Sequence, residues 1–113
     1  MNLFTTDIVS VVDQGHKEEP MRTYEAVCVF RPEEEAFSAG RDAVRAELEN
    51  LGANITKEED MGRRTLAYPI RKMNQGHYYL FVTEMDPASV QQTEDQLKLK
   101  VDMLRFLLVR RED

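Results

Sequence analysis

Tryptophan is absent from these 113 residues, cysteine occurs once and histidine twice. A lone thiol excludes a disulfide framework. Cys28, His16 and His77 show no metal-ligand spacing, so no zinc site is expected. Cys28 lies in the apolar run Ala26 to Phe30 and reads as a buried, inert thiol. Glycine occurs five times. Each copy is isolated, so no phosphate-cradling loop is present. No apolar run approaches the roughly 18 residues that cross a membrane. The start, Met1-Asn2-Leu3-Phe4, lacks the cationic opening of a secretion signal, and a cytosolic protein is expected. A surplus of positive charge is missing as well. The formal net charge is -6, which argues against a simple basic nucleic-acid binder.

What is present is an ordinary soluble profile with segregated charge. Hydrophobic residues make up 42% and charged residues 32%, enough for a real core in one domain of this length. Half of the net negative charge falls in the first 20 residues, where Lys17 faces Asp7, Asp13, Glu18 and Glu19. Acids cluster again at Glu33-Glu34-Glu35 and Glu58-Glu59-Asp60. The run Glu58 to Asp60 reads as a solvated turn, because the alternating oxygens and glycine of a calcium loop are missing. Cations gather at Arg63-Arg64, Arg71-Lys72, Lys98, Lys100 and Arg110-Arg111. Four of them fall within the ten residues 63–72. Segregated charge of this kind makes a local positive patch that can neutralise phosphate.

Periodicity sets the elements. Residues 1–20 are expected to be an extension, disordered or a mis-assigned start with Met21 as initiator; Ile8 to Val12 could form a short strand there. The globular pattern, 21–113, begins at Met21. Tyr24 to Phe30 is rich in β-formers and predicts a buried strand. Pro32 and the acids after it open a helix. Phe37, Gly40, Val44, Leu48 and Leu51 mark its inner stripe, and Gly52 stops it. Asn54 to Glu59 alternates weakly, and extended chain resumes from Arg64 to Ile70 after a bulge at Asp60-Met61-Gly62. Pro69 predicts an edge strand. Asn74-Gln75-Gly76 predicts a turn, and His77 to Met85 a strong strand. Asp86-Pro87 predicts the start of a second helix with Val90, Thr93 and Leu97 inward. Met103 to Val109 predicts the last strand.

The order β-α-β-β-α-β predicts an α+β, ferredoxin-like fold: a four-stranded antiparallel sheet with two helices on one face. Alternation leaves Glu25, Val27, Val29, Leu80, Val82, Arg105, Leu107 and Val109 on the open face. A contiguous apolar patch without a helix over it suggests a partner, or cover by the first 20 residues. The carboxylates of the first helix show nothing convergent, so catalysis is not expected. For Arg63, Arg64, Tyr68, Arg71 and Lys72 two readings stand together: RNA contact through phosphate and base, or packing of a solvated strand edge. RNA recognition motifs share the element order. Here Gln75-Gly76-His77-Tyr78-Tyr79-Leu80-Phe81-Val82 imitates their third-strand pattern but lacks the leading cation and the second glycine.

Three segments carry a resemblance. Met21-Arg22-Thr23-Tyr24-Glu25, Leu51-Gly52-Ala53 and Arg64-Thr65-Leu66-Ala67-Tyr68-Pro69-Ile70-Arg71-Lys72 with Gly76 and Tyr78 stand in order across Met21 to Arg110. They resemble the family of bacterial small ribosomal subunit protein six. The resemblance implies a structural, non-enzymatic, ribosome-associated protein with no cofactor, metal, membrane or small-molecule substrate. It implies binding to the central domain of 16S rRNA as a heterodimer with the eighteenth small-subunit protein, so that an acidic chain borrows a basic partner. Under it, Arg22, Tyr24, Arg63, Arg64, Tyr68, Arg71 and Lys72 are the expected RNA residues. Leu66, Ala67, Pro69, Ile70, Leu80 and Val82 are the expected partner surface. The alternative is a freestanding ferredoxin-like module that binds RNA or protein.

Overall fold

A computed structural model describes residues 21–111. The extension at 1–20 and its expected strand at Ile8 to Val12 lie outside the described residues. Strand β1 (Arg22–Phe30) is followed by helix α1 (Glu34–Asn50), strands β2 (Asn54–Ile70) and β3 (Met73–Met85), helix α2 (Val90–Lys100) and strand β4 (Arg105–Arg110). The sheet order is β2-β3-β1-β4, and every neighbouring pair is antiparallel. This is the expected ferredoxin-like arrangement, with Pro69 on an edge strand.

Alternation along β1 decides which face is covered. Tyr24, Ala26, Cys28 and Phe30 join Tyr79, Phe81, Met85 and Phe106 in one buried cluster. Phe37, Val44 and Leu48 of α1 and Leu97 of α2 complete it, so both helices lie on this side. Cys28 is fully buried, and burial pushes its thiol far above the ordinary range, which leaves it unreactive. Acids in the first turn of α1 suit its positive end. Gly52, at φ +91°, releases the chain after Leu51. The carboxylate of Asp86 accepts the Ala88 N–H at 2.9 Å, as expected of a cap. It caps a 3₁₀ turn (Pro87–Ser89), and α2 proper begins only at Val90.

The β2–β3 hairpin departs from expectation. Its strands are longer, and β2 runs unbroken through Asp60 to Gly62, where the expected bulge does occur. Gly62 takes φ +84° there. The turn is not Asn74-Gln75-Gly76, which lies inside β3. Ile70 pairs with Met73, so the loop is Arg71-Lys72, with φ of 50° and 67°. Left-handed residues at both positions are the mark of a type I′ turn, one of the two-residue hairpin loops whose twist matches that of the strands. Gly76 serves space instead. A Cβ there would stand 2.5 Å from Val29 Cγ1.

Candidate nucleic-acid interface

The hairpin brings the cations together by an irregularity. Thr65 pairs with Gln75 and Ile70 with Met73, so four residues, Leu66 to Pro69, stand against Asn74 alone. The surplus chain bends over the open face. Leu66, Ala67, Tyr68 and Ile70 enclose a small cavity of about 80 Å³ with Val29, Tyr78 and Arg105. Val29, Tyr78 and Arg105 share one register row across three strands. Tyr68 therefore reaches from the β2 edge to β4, where the Arg105 guanidinium lies 5.9 Å from its ring centre. Arg64 sits 5.8 Å from the ring centre of Tyr78 on the same face. Two cation–aromatic pairs thus mark one end of the open face. Tyr68 remains 54% exposed.

The expected RNA residues separate into four places. Arg64, Tyr68, Arg71 and Lys72 share the hairpin end. Arg63 is in register with His77, whose ring stacks on Phe37 at 3.5 Å, so Arg63 leaves the same edge toward the helix side. Arg22 is exposed but begins β1, seven residues from the Val29 row. That is about 23 Å along a strand. Tyr24 is 5% exposed and a member of the core cluster, because even-numbered positions of β1 face the helices. Its ring is a packing group in the chain as it stands. Arg105 was absent from the expected set. Alternation places it on the open face, but its neighbour Tyr68 comes from the backbone excursion of β2, which no periodicity encodes.

Arg71 and Lys72 occupy left-handed backbone, at φ 50° and 67°. Left-handed φ costs a non-glycine residue roughly 1–2 kcal/mol, and Asn-Gly would serve the loop better. Arg71 is held in place: its Nη1 donates to Asp102 Oδ1 at 3.0 Å, while Arg31 Nε donates to Asp102 Oδ2 at 3.1 Å.

The expected partner residues also differ in access. Ala67 and Pro69 are exposed, and Leu66, Ile70 and Leu80 are half-buried. Val82 is only 4% exposed, between Glu25 and Lys57 in register, and offers little area. On β4 the open face exposes Leu107 and Val109, 54% and 42% exposed. They share that face with Arg105 along the second free edge, while Phe106 and Leu108 between them turn to the core.

Behind the hairpin, two carboxylates of β2 anchor the sheet. Arg45 of α1 grips Glu58 with two hydrogen bonds, Nε to Oε2 at 2.8 Å and Nη2 to Oε1 at 2.7 Å. The Tyr79 hydroxyl donates to the same Oε1 at 2.7 Å. Together they hold the Glu58 carboxyl below its usual range. Asp60 is held low by the His77 Nε2–H at 2.6 Å and by the Gly62 N–H at 2.9 Å, which also fixes the bulge. A carboxyl depressed in the folded state gives stability that is present above its unfolded pKa and lost as pH falls through the folded value. Glu58→Gln is therefore expected to cost about 1–2 kcal/mol at neutral pH. The deficit should shrink below about pH 4. Urea melts of both proteins across that range check it, and a deficit independent of pH would show that the carboxylate charge contributes nothing.

The model of the family described as Ribosomal protein S6 matches residues 23–110. The chain belongs to the ribosomal protein S6 family. The small ribosomal subunit protein bS6 of Treponema denticola is 43% identical over 93 residues, covering 82% of this chain and 100% of the relative. That of Treponema pallidum (strain Nichols) is 42% identical over 90 residues, covering 80% and 97%. The crystal structure of 30S ribosomal protein S6 from Thermotoga maritima superposes with a TM-score of 0.72 at 29% identity, over 80% of this chain and 88% of that one. This S6-family chain is accordingly a structural component of the small ribosomal subunit that associates with rRNA, and not an enzyme. No group of three or more metal-ligating side chains occurs among the described residues. Among the same residues, no helix is long and apolar enough to cross a membrane.

Proposed function

We propose that this chain binds the central domain of 16S rRNA together with the eighteenth small-subunit protein, using the hairpin end for RNA and the free sheet face for the partner. The carrying observation is the placement of Arg64, Arg71, Lys72, Arg105 and an exposed Tyr68 at one end of an otherwise acidic molecule. Cations there neutralise phosphates, and the Tyr68 ring offers a stacking face. Arg63 adds a phosphate contact on the other side of the same edge. Arg22 serves a separate stretch of RNA, given its distance.

For the partner, the apolar strip Leu107 and Val109 continues past Leu80 toward Ala67, Leu66, Ile70 and Pro69 at the hairpin. Edge strand β4 carries unpaired backbone groups that a partner strand can complete. A net charge of -6 explains the need for a basic partner, because the chain as a whole repels RNA beyond the hairpin end.

The test is binding to a 16S central-domain fragment across a salt series, with and without the eighteenth protein. Tight binding is expected only with the partner. Leu107→Glu should abolish the partner's contribution while leaving the thermal transition unchanged. Equal binding without the partner would replace this reading with an autonomous RNA-binding module.

A further inference from the structure

We propose that the cleft between the hairpin loop and the C-terminal end of α2 receives one unpaired nucleotide, base inward and phosphate outward; this rests on the RNA-binding reading above. The cleft has a volume of about 260 Å³ and is lined by Arg71, Lys98, Val101, Met103, Leu104 and Phe106. Its chemistry divides cleanly. The four apolar residues are each less than a tenth exposed and form the floor. Arg71 and Lys98 are exposed and form the rim. An apolar slot with a few charged groups at its mouth is the usual build of a small-ligand site.

Charge selects the ligand. Asp102 is shared between Arg31 and Arg71 at 3.1 and 3.0 Å, so one carboxylate answers two guanidiniums. Lys98 makes no ion pair among the described residues. This corner is thus cationic in an acidic protein, and it favours an anionic group at the rim. The floor favours a flat apolar body: the Met103 thioether is polarizable and suits a π-face, and Phe106 offers ring contact. A phosphate joined to a base meets both demands. The volume admits one nucleotide and not two. Phe106 faces the helices, whereas Tyr68 and Arg105 lie on the open face, so a strand that runs from Tyr68 to the cleft turns round the end of the hairpin, past Lys72 and Arg71. An unstacked base is the form in which single-stranded RNA is read.

The experiment uses the full chain with isotope-labelled methionine methyl groups, titrated with adenosine monophosphate, uridine monophosphate and inorganic phosphate. Either nucleotide should move the Met103 methyl resonance saturably, phosphate alone should not, and Lys98→Glu should abolish the shift. In the complex with RNA and partner, Lys98→Glu should weaken binding about tenfold. Lys100→Glu, on the same helix but outside the cleft, should have an effect of less than about twofold. A Met103 methyl unmoved by nucleotides would overturn the proposal, as would equal effects of the two lysine substitutions. A shift produced by phosphate alone, or by the partner protein in competition with nucleotide, would also overturn it. If wild-type chain and partner bind no RNA, the RNA-binding reading fails, while the mononucleotide titration still decides the cleft.

Discussion

Truncation of Phe30 to alanine is expected to remove about 3–5 kcal/mol of folding stability. That is a large share of the roughly 5–15 kcal/mol available to a domain. Phe30 is fully buried, and its ring meets Phe37 edge-on at 5.8 Å and 69°. Its other contact makes the result diagnostic. A Cβ built on Gly40 of α1 would stand 2.5 Å from Phe30 Cδ1 and 2.7 Å from Cε1. Helix α1 can lie on the sheet at this distance only because position 40 has no side chain. Gly40→Ala is favoured by helix propensity by about 1 kcal/mol. In the wild type, overpacking against a ring with nowhere to move should outweigh that gain and cost about 1–3 kcal/mol net. With Phe30→Ala in place the obstruction is gone, and the same substitution should become stabilising. Urea denaturation of the four proteins measures the coupling. Additive effects would mean that the helix is not seated on the Phe30 ring.

The sheet and its covered face were legible because period and burial agree. Every second residue of β1 enters the core, and Phe37, Gly40, Val44 and Leu48 recur at helical spacing. Pro69 told correctly of an edge strand, and Gly62 of a bulge. The hairpin loop misled because Asn-Gln-Gly is strong turn chemistry, whereas Arg71-Lys72 has none. Gly76 answers to Val29 across the sheet, a tertiary demand that local rules cannot see. The same limit hid Arg105 and Lys98. Each gains a role from a neighbour more than 25 positions away, Tyr68 in one case and the Arg71 rim in the other. Tyr24 shows the converse: its motif suggested a surface, and its place in the alternation buries it.

The double reversal Arg64→Glu/Lys72→Glu is expected to weaken binding of the central-domain RNA, partner present, by about a hundredfold. The salt dependence should flatten by about two units on a log–log plot, one for each phosphate left without its cation. Arg71 stays in place, so the Asp102 anchor and the cleft rim are undisturbed. Neither substituted group is buried, and melting should move little. Arg22→Glu, in register with Met85 and so nine strand positions from the Arg64–Gly76 row, reports on the other stretch of RNA and should change the slope by no more than about one unit. Lys72→Gly separates function from folding at the loop. It relieves left-handed backbone at φ 67° and should stabilise the fold by up to about 1 kcal/mol. The same change should cost RNA affinity, since the ammonium is gone. A protein that becomes more stable and binds more weakly is the result that strain kept for function requires. If Lys72→Gly gains stability and binds unchanged, the loop cation does not touch the RNA, and the phosphate-binding surface must be sought among Arg63, Arg64 and Arg105.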